Sequence, residues 1–289
     1  MEKYKRNERV AGIIKILSDN PNKLFALNYF SELFNAAKST ISEDITAAKK
    51  ILGELSQGQI ETISGAAGGV KYRPYVDDAK ALVFLEHLCD RIRDPRRIIT
   101  GNFIYMSDIV YDPVVSAGVG EIFATKFMNS GAEFVITIET KGVTIAHMTA
   151  RALNVPLVII RRENRVTEGS TVSVNYVSGS TKRIQTMFVS KRAIPEGKKV
   201  LIIDDFMKAG GTAKGMVDLM KEIKVEIAGI GFLMKTVEPK EKLVENYTSL
   251  LVVKEVNETI QKIDVEINGK IKWRIMHIFW KLPLKRRIY

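Results

Sequence analysis

The segment Val200 to Thr212, VLIIDDFMKAGGT, constrains this chain more than any other stretch. Its four apolar residues, Val200-Leu201-Ile202-Ile203, read as a strand buried on both faces, as in a parallel sheet. An acidic pair, Asp204-Asp205, follows, then a loop running Phe206-Met207-Lys208-Ala209-Gly210-Gly211-Thr212, then the helical pattern TAKGMVDLMKEIK. Such a loop suits a phosphate monoester, because glycines let backbone N–H groups turn inward and the helix N-terminus adds partial positive charge. Thr212 can add a hydroxyl donor. The two carboxylates cannot serve the same phosphate, but as adjacent acceptors they suit a cis-diol. A diol beside a phosphate is a ribose 5-phosphate. The competing reading is an ordinary strand-to-helix turn with a glycine-rich cap; apolar run, double Asp, spacing and helix together argue against it.

The surrounding sequence supplies a scaffold for such a loop. EFVITIET, PLVIIRR and VEIAGIGFLMK read as strands, and SAGVGEIFATKFMNSG and VTIAHMTARALN as helices. FIYMSDIVY is apolar and rich in β-formers, so it too is expected to be a strand. This alternation predicts an α/β domain with a mostly parallel sheet covered on both faces. Between Arg162 and Lys199 the pattern gives way to a polar, basic, hairpin-like region.

A chain of 289 residues is long enough for two domains. Pro74 and the acidic pair Asp77-Asp78 mark the expected boundary, giving residues 1–74 and 75–289, with a linking helix from Asp78 to Ile92. In the first part Val10, Ile13, Ile14 and Leu17 recur at helical spacing. Asn28 is a candidate cap for a second helix, and Ser39 or Thr40 for a third carrying Ile41, Ile45, Ala48, Ile51 and Leu52. GQIETI and GGVKYRP flank a turn and read as a hairpin. Helix, helix, helix, hairpin is the order of a winged-helix DNA-binding domain. On the third helix Lys38, Ser39, Thr40, Ser42 and Lys49 would meet the groove and its phosphates, with Asp44 and Glu43 opposing; Lys71 and Arg73 on the hairpin would form a wing. A solvated helix face carries the same lysines, and three-helix modules also serve in oligomerisation.

Apolar residues are 46% of the chain and charged residues 27%, a globular composition. No apolar run approaches the roughly 20 residues needed to cross a bilayer, and the start lacks a signal-peptide pattern, so a cytoplasmic location is expected. Cys89 sits in an apolar-periodic stretch and reads as a buried structural thiol. The net charge of +11 is concentrated: residues 270–289 hold seven Lys/Arg and no acid. Charge alone therefore argues only weakly for nucleic acid. That basic tail, with Trp273 and Trp280, has the composition of a membrane-surface or DNA-contacting extension, or of a frame-shifted end; no function is assigned to it.

VLIIDDFMKAGGT resembles the motif with which type I phosphoribosyltransferases bind phosphoribosyl pyrophosphate (PRPP). Over roughly residues 1–265 the chain resembles the purine operon repressors of Gram-positive bacteria, a winged-helix domain fused to such a phosphoribosyltransferase-like domain. The resemblance implies that Asp204 and Asp205 hold the ribose hydroxyls and that Met207, Lys208, Ala209, Gly210, Gly211 and Thr212 wrap the 5-phosphate. Thr140-Lys141-Gly142 matches the pyrophosphate loop by position, although T-K-G alone is also a plain helix-capping turn. Ser178, Ser180, Thr181, Lys182 and Arg183 fall in a stretch similar to the hood loop, or in a solvated loop. Arg161, Arg162, Arg165, Lys191 and Arg192 form a basic surface that extends a DNA footprint or is a solvated rim.

Many transferases read Ala-Thr-Gly-Gly-Thr where this chain has Lys208-Ala209-Gly210-Gly211-Thr212, and no base-recognising residues are legible. The resemblance therefore implies a catalytically inactive sensor: a homodimeric repressor of purine biosynthesis and transport genes, released from double-stranded operator DNA by PRPP with Mg²⁺. A competing nucleotide such as an alarmone is a further candidate ligand, and no residue is assigned as a metal ligand. The alternative is a purine phosphoribosyltransferase with an N-terminal regulatory or dimerisation module. An RNA-binding attenuator would leave the first 74 residues without a role.

Overall fold

A computed structural model describes residues 4–65, 67–178 and 183–269. The N-terminal part comprises α1 (Arg6–Asp19), α2 (Leu27–Leu33), α3 (Lys38–Glu54), β1 (Gln59–Ile63) and β2 (Gly69–Arg73), the last two paired antiparallel. Ile13 and Leu17 of α1, Phe30 of α2, Ile41, Ile45 and Ala48 of α3, and Ile60 and Val70 of the hairpin form one buried cluster. Each fully buried aliphatic side chain contributes about 1.5–3 kcal/mol relative to leaving it in water. That pooled burial lets so small a unit hold together.

Two expected helix starts differ. α2 begins at Leu27 with Ala26 as its cap, so Asn28 lies inside the helix; α3 begins at Lys38 with Ala37 as its cap, so Ser39 and Thr40 lie in its first turn. Neither end has a side-chain cap. The tight turn between them, with Asn35 at a φ of 46°, sets the entry to α3 in place of a capping side chain.

Beyond Pro74 the chain runs through α4 (Asp78–Ile92), β3 (Ile98–Ile99), β4 (Phe103–Ile104), α5 (Ser107–Val110), α6 (Pro113–Phe127), β5 (Phe134–Ile138), α7 (Gly142–Leu153) and β6 (Leu157–Ile160). It continues with β7 (Thr171–Val177), β8 (Ile184–Ser190), β9 (Lys199–Met207), α8 (Gly211–Glu222), β10 (Glu226–Thr236), β11 (Thr248–Asn257) and β12 (Lys262–Ile267). Six strands form one sheet in the order β12-β11-β10-β9-β5-β6, all parallel except the antiparallel edge pair β11-β12.

FIYMSDIVY is not one strand. Phe103–Ile104 is a two-residue strand and Ser107–Val110 a short helix. Met106, Ile109 and Val110 are all buried, and their i, i+3, i+4 spacing is the helical period that wins over β propensity. Along β9 successive side chains alternate between two cores. Leu201 and Ile203 pack with α4, α6 and α7, while Val200 and Ile202 pack with α8 and the β7-β8 hairpin. Cys89 is fully buried on the first side, where burial pushes its thiol up to about 12.

The two parts meet directly. Asn22 donates from Nδ2 to the Ala152 carbonyl at the end of α7 (2.6 Å), and Lys80 of α4 donates to the Ser56 carbonyl (3.1 Å). Tyr72 is packed beside Glu121 and Arg151, and burial pushes its hydroxyl up to about 12.

Candidate functional site

In an open α/β sheet ligands bind beyond the carboxyl ends of the strands, where the strand order reverses. Here the chain runs outward from β5 to β6, then returns to place β9 on the other side of β5. The loops after β5 and β9 face each other across that crevice. They are the two loops singled out in sequence.

Asp204 ends the buried run of β9 and is only 6% exposed. Its Oδ1 accepts from the Asp205 N–H (3.0 Å), and the two carboxyls hydrogen-bond each other. Burial, then the neighbouring Asp205 charge, holds Asp204 well above the ordinary carboxyl range. Burial also raises Asp205, while Lys141 pulls the other way. Such a pair holds a proton where isolated carboxylates would not, and can offer both a donor and acceptors to hydroxyl groups.

Gly142, the first residue of α7, closes on this pair. A Cβ there would lie 2.1 Å from Asp204 Oδ1 and 2.7 Å from Thr137 Oγ1, so only glycine lets the loop after β5 approach the acids. Thr140 and Lys141 are exposed. Lys141 shares with Asp205, Phe206, Lys208 and Phe103 the wall of a cavity of about 360 Å³. The Glu139-Thr140 peptide bond is cis.

The phosphate-type loop is shorter than the sequence suggests. β9 continues through Met207, whose side chain is buried in the core, so Met207 offers only backbone. The turn itself is Lys208-Ala209-Gly210, with Gly210 at a φ of 88°, a backbone that glycine adopts without strain. Its carbonyls are turned outward: Lys208 accepts from Lys242 Nζ and Ala209 from the Leu243 N–H. The loop's inner side is thereby cleared of these acceptors. Thr212 is the second residue of α8 and is half-buried at the helix start.

Of the expected hood residues, Ser178 is buried, its N–H bonded to the Arg183 carbonyl (2.9 Å), and Arg183 is exposed. Ser180, Thr181 and Lys182 lie outside the described residues, as do residues 270–289. Arg161 and Arg162 both bond Glu139 at the entrance to the loop after β5. Arg161 is half-buried, and Arg162 is exposed, as are Arg165, Lys191 and Arg192; no sequence signal singled out the two that reach Glu139.

On the N-terminal part, Lys38, Ser39, Ser42 and Lys49 are exposed along one face of α3, with Thr40 half-buried beside them. Asp44 does not oppose them, because it is 1% exposed and paired with Arg9 at 2.6 Å. The hairpin cations are placed differently from the α3 lysines. Lys71 and Arg73 both pair with Glu61 and line a small cavity against Phe127 and Leu153 of the C-terminal part. Alternation along β2 turns them toward the junction, not outward to a groove.

Residues 5–74 match the family model described as "Bacterial purine repressor, N-terminal", and residues 107–268 that of the phosphoribosyl transferase domain. The chain is 44% identical to the purine biosynthesis transcriptional repressor PurR of Bacillus subtilis over 267 residues, covering 92% of this chain and 93% of that protein. The chain belongs to the bacterial purine repressor family.

Within that family it is 38% identical to the purine biosynthesis transcriptional activator PurR of Lactococcus lactis subsp. lactis, over 92% of this chain and 98% of that protein. Xanthine phosphoribosyltransferase of the same organism is 37% identical over only 118 residues, 40% of this chain and 60% of that protein. The fold of the C-terminal part is shared with adenine phosphoribosyltransferase from Rhodothermus marinus: TM-score 0.50, 23% identity, 58% of this chain and 96% of that one.

Proposed function

We propose that this chain is a DNA-binding transcriptional repressor of purine biosynthesis and transport genes whose operator binding is relieved by PRPP. The observation that carries the reading is the convergence of the buried Asp204 and its half-buried neighbour Asp205 with Lys141 and Gly142 across the switch point. The acids take the ribose hydroxyls. The backbone of Met207 to Thr212 takes the 5-phosphate at the start of α8, and Thr140 to Gly142 take the pyrophosphate at the start of α7. Mg²⁺ enters with the pyrophosphate as its counter-ion; among the described residues no cluster of three His, Cys, Asp or Glu is arranged to hold a metal. α3 enters the major groove. Its uncapped N-terminus leaves first-turn N–H groups for a phosphate. Two-fold operators fit a homodimer. Among the described residues no helix is long and apolar enough to cross a membrane, and the reading places the protein with the DNA in the cytoplasm.

The domain is proposed to bind without catalysing transfer, because Lys208 sets a cation at the loop where transferases carry other residues. One observation favours the alternative enzyme reading: the 360 Å³ cavity has aromatic walls, Phe103 and Phe206, beside Asp205, as a planar base would require. A guanine-containing alarmone would compete through the same cavity. A gel shift of a purine promoter titrated with PRPP and Mg²⁺, with PRPP consumption followed in the same tube, decides between the readings. Loss of the shifted band without consumption is expected; turnover with any purine base, or no shift at all, rejects the sensor.

A further inference from the structure

Three segments with separate expected roles are joined through one guanidinium and one phenol. Arg162 lies just beyond β6. Its backbone N–H donates to Glu139 Oε1 (2.7 Å) and its Nε to the Glu139 carbonyl (3.1 Å), the residue that opens the loop after β5. Its Nη1 donates to the Tyr176 hydroxyl (2.7 Å) on β7 and to Gln185 Oε1 (3.0 Å) on β8. The Tyr176 hydroxyl in turn donates to Gln185 (2.8 Å).

A phenol has one proton and two lone pairs. Donation to Gln185 uses the proton, and acceptance from Arg162 uses a lone pair. Tyr176 is 6% exposed and lies flush on α8 because position 215 is glycine: a Cβ there would come within 2.9 Å of the Tyr176 Cβ. The ring therefore has no freedom to carry the hydroxyl to other partners. Arg161 adds a second brace on Glu139 (3.3 Å).

Resting on the reading of a PRPP site, we propose that Arg162 is a positioning residue that sets the pyrophosphate loop against the β7-β8 hairpin, with Tyr176, packed on α8 at Gly215, as the anchor on the hairpin side. The pyrophosphate loop and the hairpin are then not independent: the loop is held in place by a protein bridge behind it. Preorganisation of this kind raises affinity by removing the ordering cost of binding.

The test uses the full chain and calorimetric titration with PRPP, inorganic pyrophosphate and ribose 5-phosphate. Arg162→Gln is expected to weaken PRPP and pyrophosphate by about tenfold or more while changing ribose 5-phosphate by less than about twofold. Tyr176→Phe, which removes the hydroxyl that Arg162 holds and leaves the ring on α8, is expected to weaken PRPP and pyrophosphate as Arg162→Gln does and to change ribose 5-phosphate by less than about twofold. The double variant is expected to lose less than the product of the two single losses, because the two residues share one bond. General destabilisation would weaken all three ligands alike, and direct contact between Arg162 and the ligand would make the two losses multiply; either result overturns the proposal, as does unchanged binding in Arg162→Gln. Arg162→Lys keeps the charge without the fork, and full rescue by it would also overturn the positioning role. If the unaltered chain binds neither PRPP nor ribose 5-phosphate, it is the PRPP reading itself that fails.

Discussion

Asp204 shows how burying a carboxyl beside a second one sets its charge against the fold. Its folded-state value is raised above the ordinary 3.8 by burial and by Asp205. A raised carboxyl contributes stability that is fully present below the unfolded value and is lost as pH rises through the folded one. At neutral pH the pair therefore destabilises the protein. Asp204→Asn is expected to raise the melting temperature at pH 7, to flatten its fall between acid and neutral pH, and to abolish PRPP binding; thermal melts across that range with and without PRPP check all three. Asp44 is the opposite case. It neutralises a buried Arg9, and Asp44→Ala leaves that guanidinium without its carboxylate, at an expected cost of about 3–5 kcal/mol in denaturant unfolding. A sequence reading counts Asp44 as a charge opposed to DNA, because nothing in the one-dimensional pattern reveals that Arg9, 35 residues away, faces it.

At the scale of elements, α3 presents its polar residues as expected and the hairpin does not. Lys49→Ala is expected to weaken operator binding about equally across sequences and to reduce the salt slope by about one, whereas Ser39→Ala or Ser42→Ala shifts base preference. Lys71→Ala is expected to leave the salt slope unchanged, since Lys71 is spent on Glu61 at the junction; binding measured at several salt concentrations separates the two lysines. The strand-loop-helix units of β5-α7 and β9-α8 were legible because continuous apolar runs and glycines mark them. β11 and β12 were not placed at all, and FIYMSDIVY was read with the wrong period. Short elements that pack through two or three side chains leave too little pattern to separate a strand from a turn of helix.

Across the whole molecule, α7 spans from the loop beside Asp204 to the junction with the N-terminal part. Its first residue, Gly142, touches Asp204, and its penultimate residue, Ala152, accepts from Asn22. Twelve helical residues cover about 18 Å as a rigid rod. Asn22→Ala is expected to leave PRPP affinity and ligand-free operator binding within about twofold while shrinking the effect of each ligand on the other, which must change by the same factor in both directions. Titrating PRPP with and without operator DNA measures that factor, and an unaltered factor excludes the junction as the route. The class of the fold, the strand-loop-helix unit of β9 and α8 and the polar face of α3 are legible in the sequence, because each is written in local periodicity and in residues adjacent along the chain. It is the tertiary structure that brings Arg162 to Glu139, Tyr176 and Gln185 and turns Lys71 and Arg73 to the junction. Those outcomes depend on partners 10 to about 80 residues distant, brought together by the packing of the sheet and of the two cores, which no local pattern records.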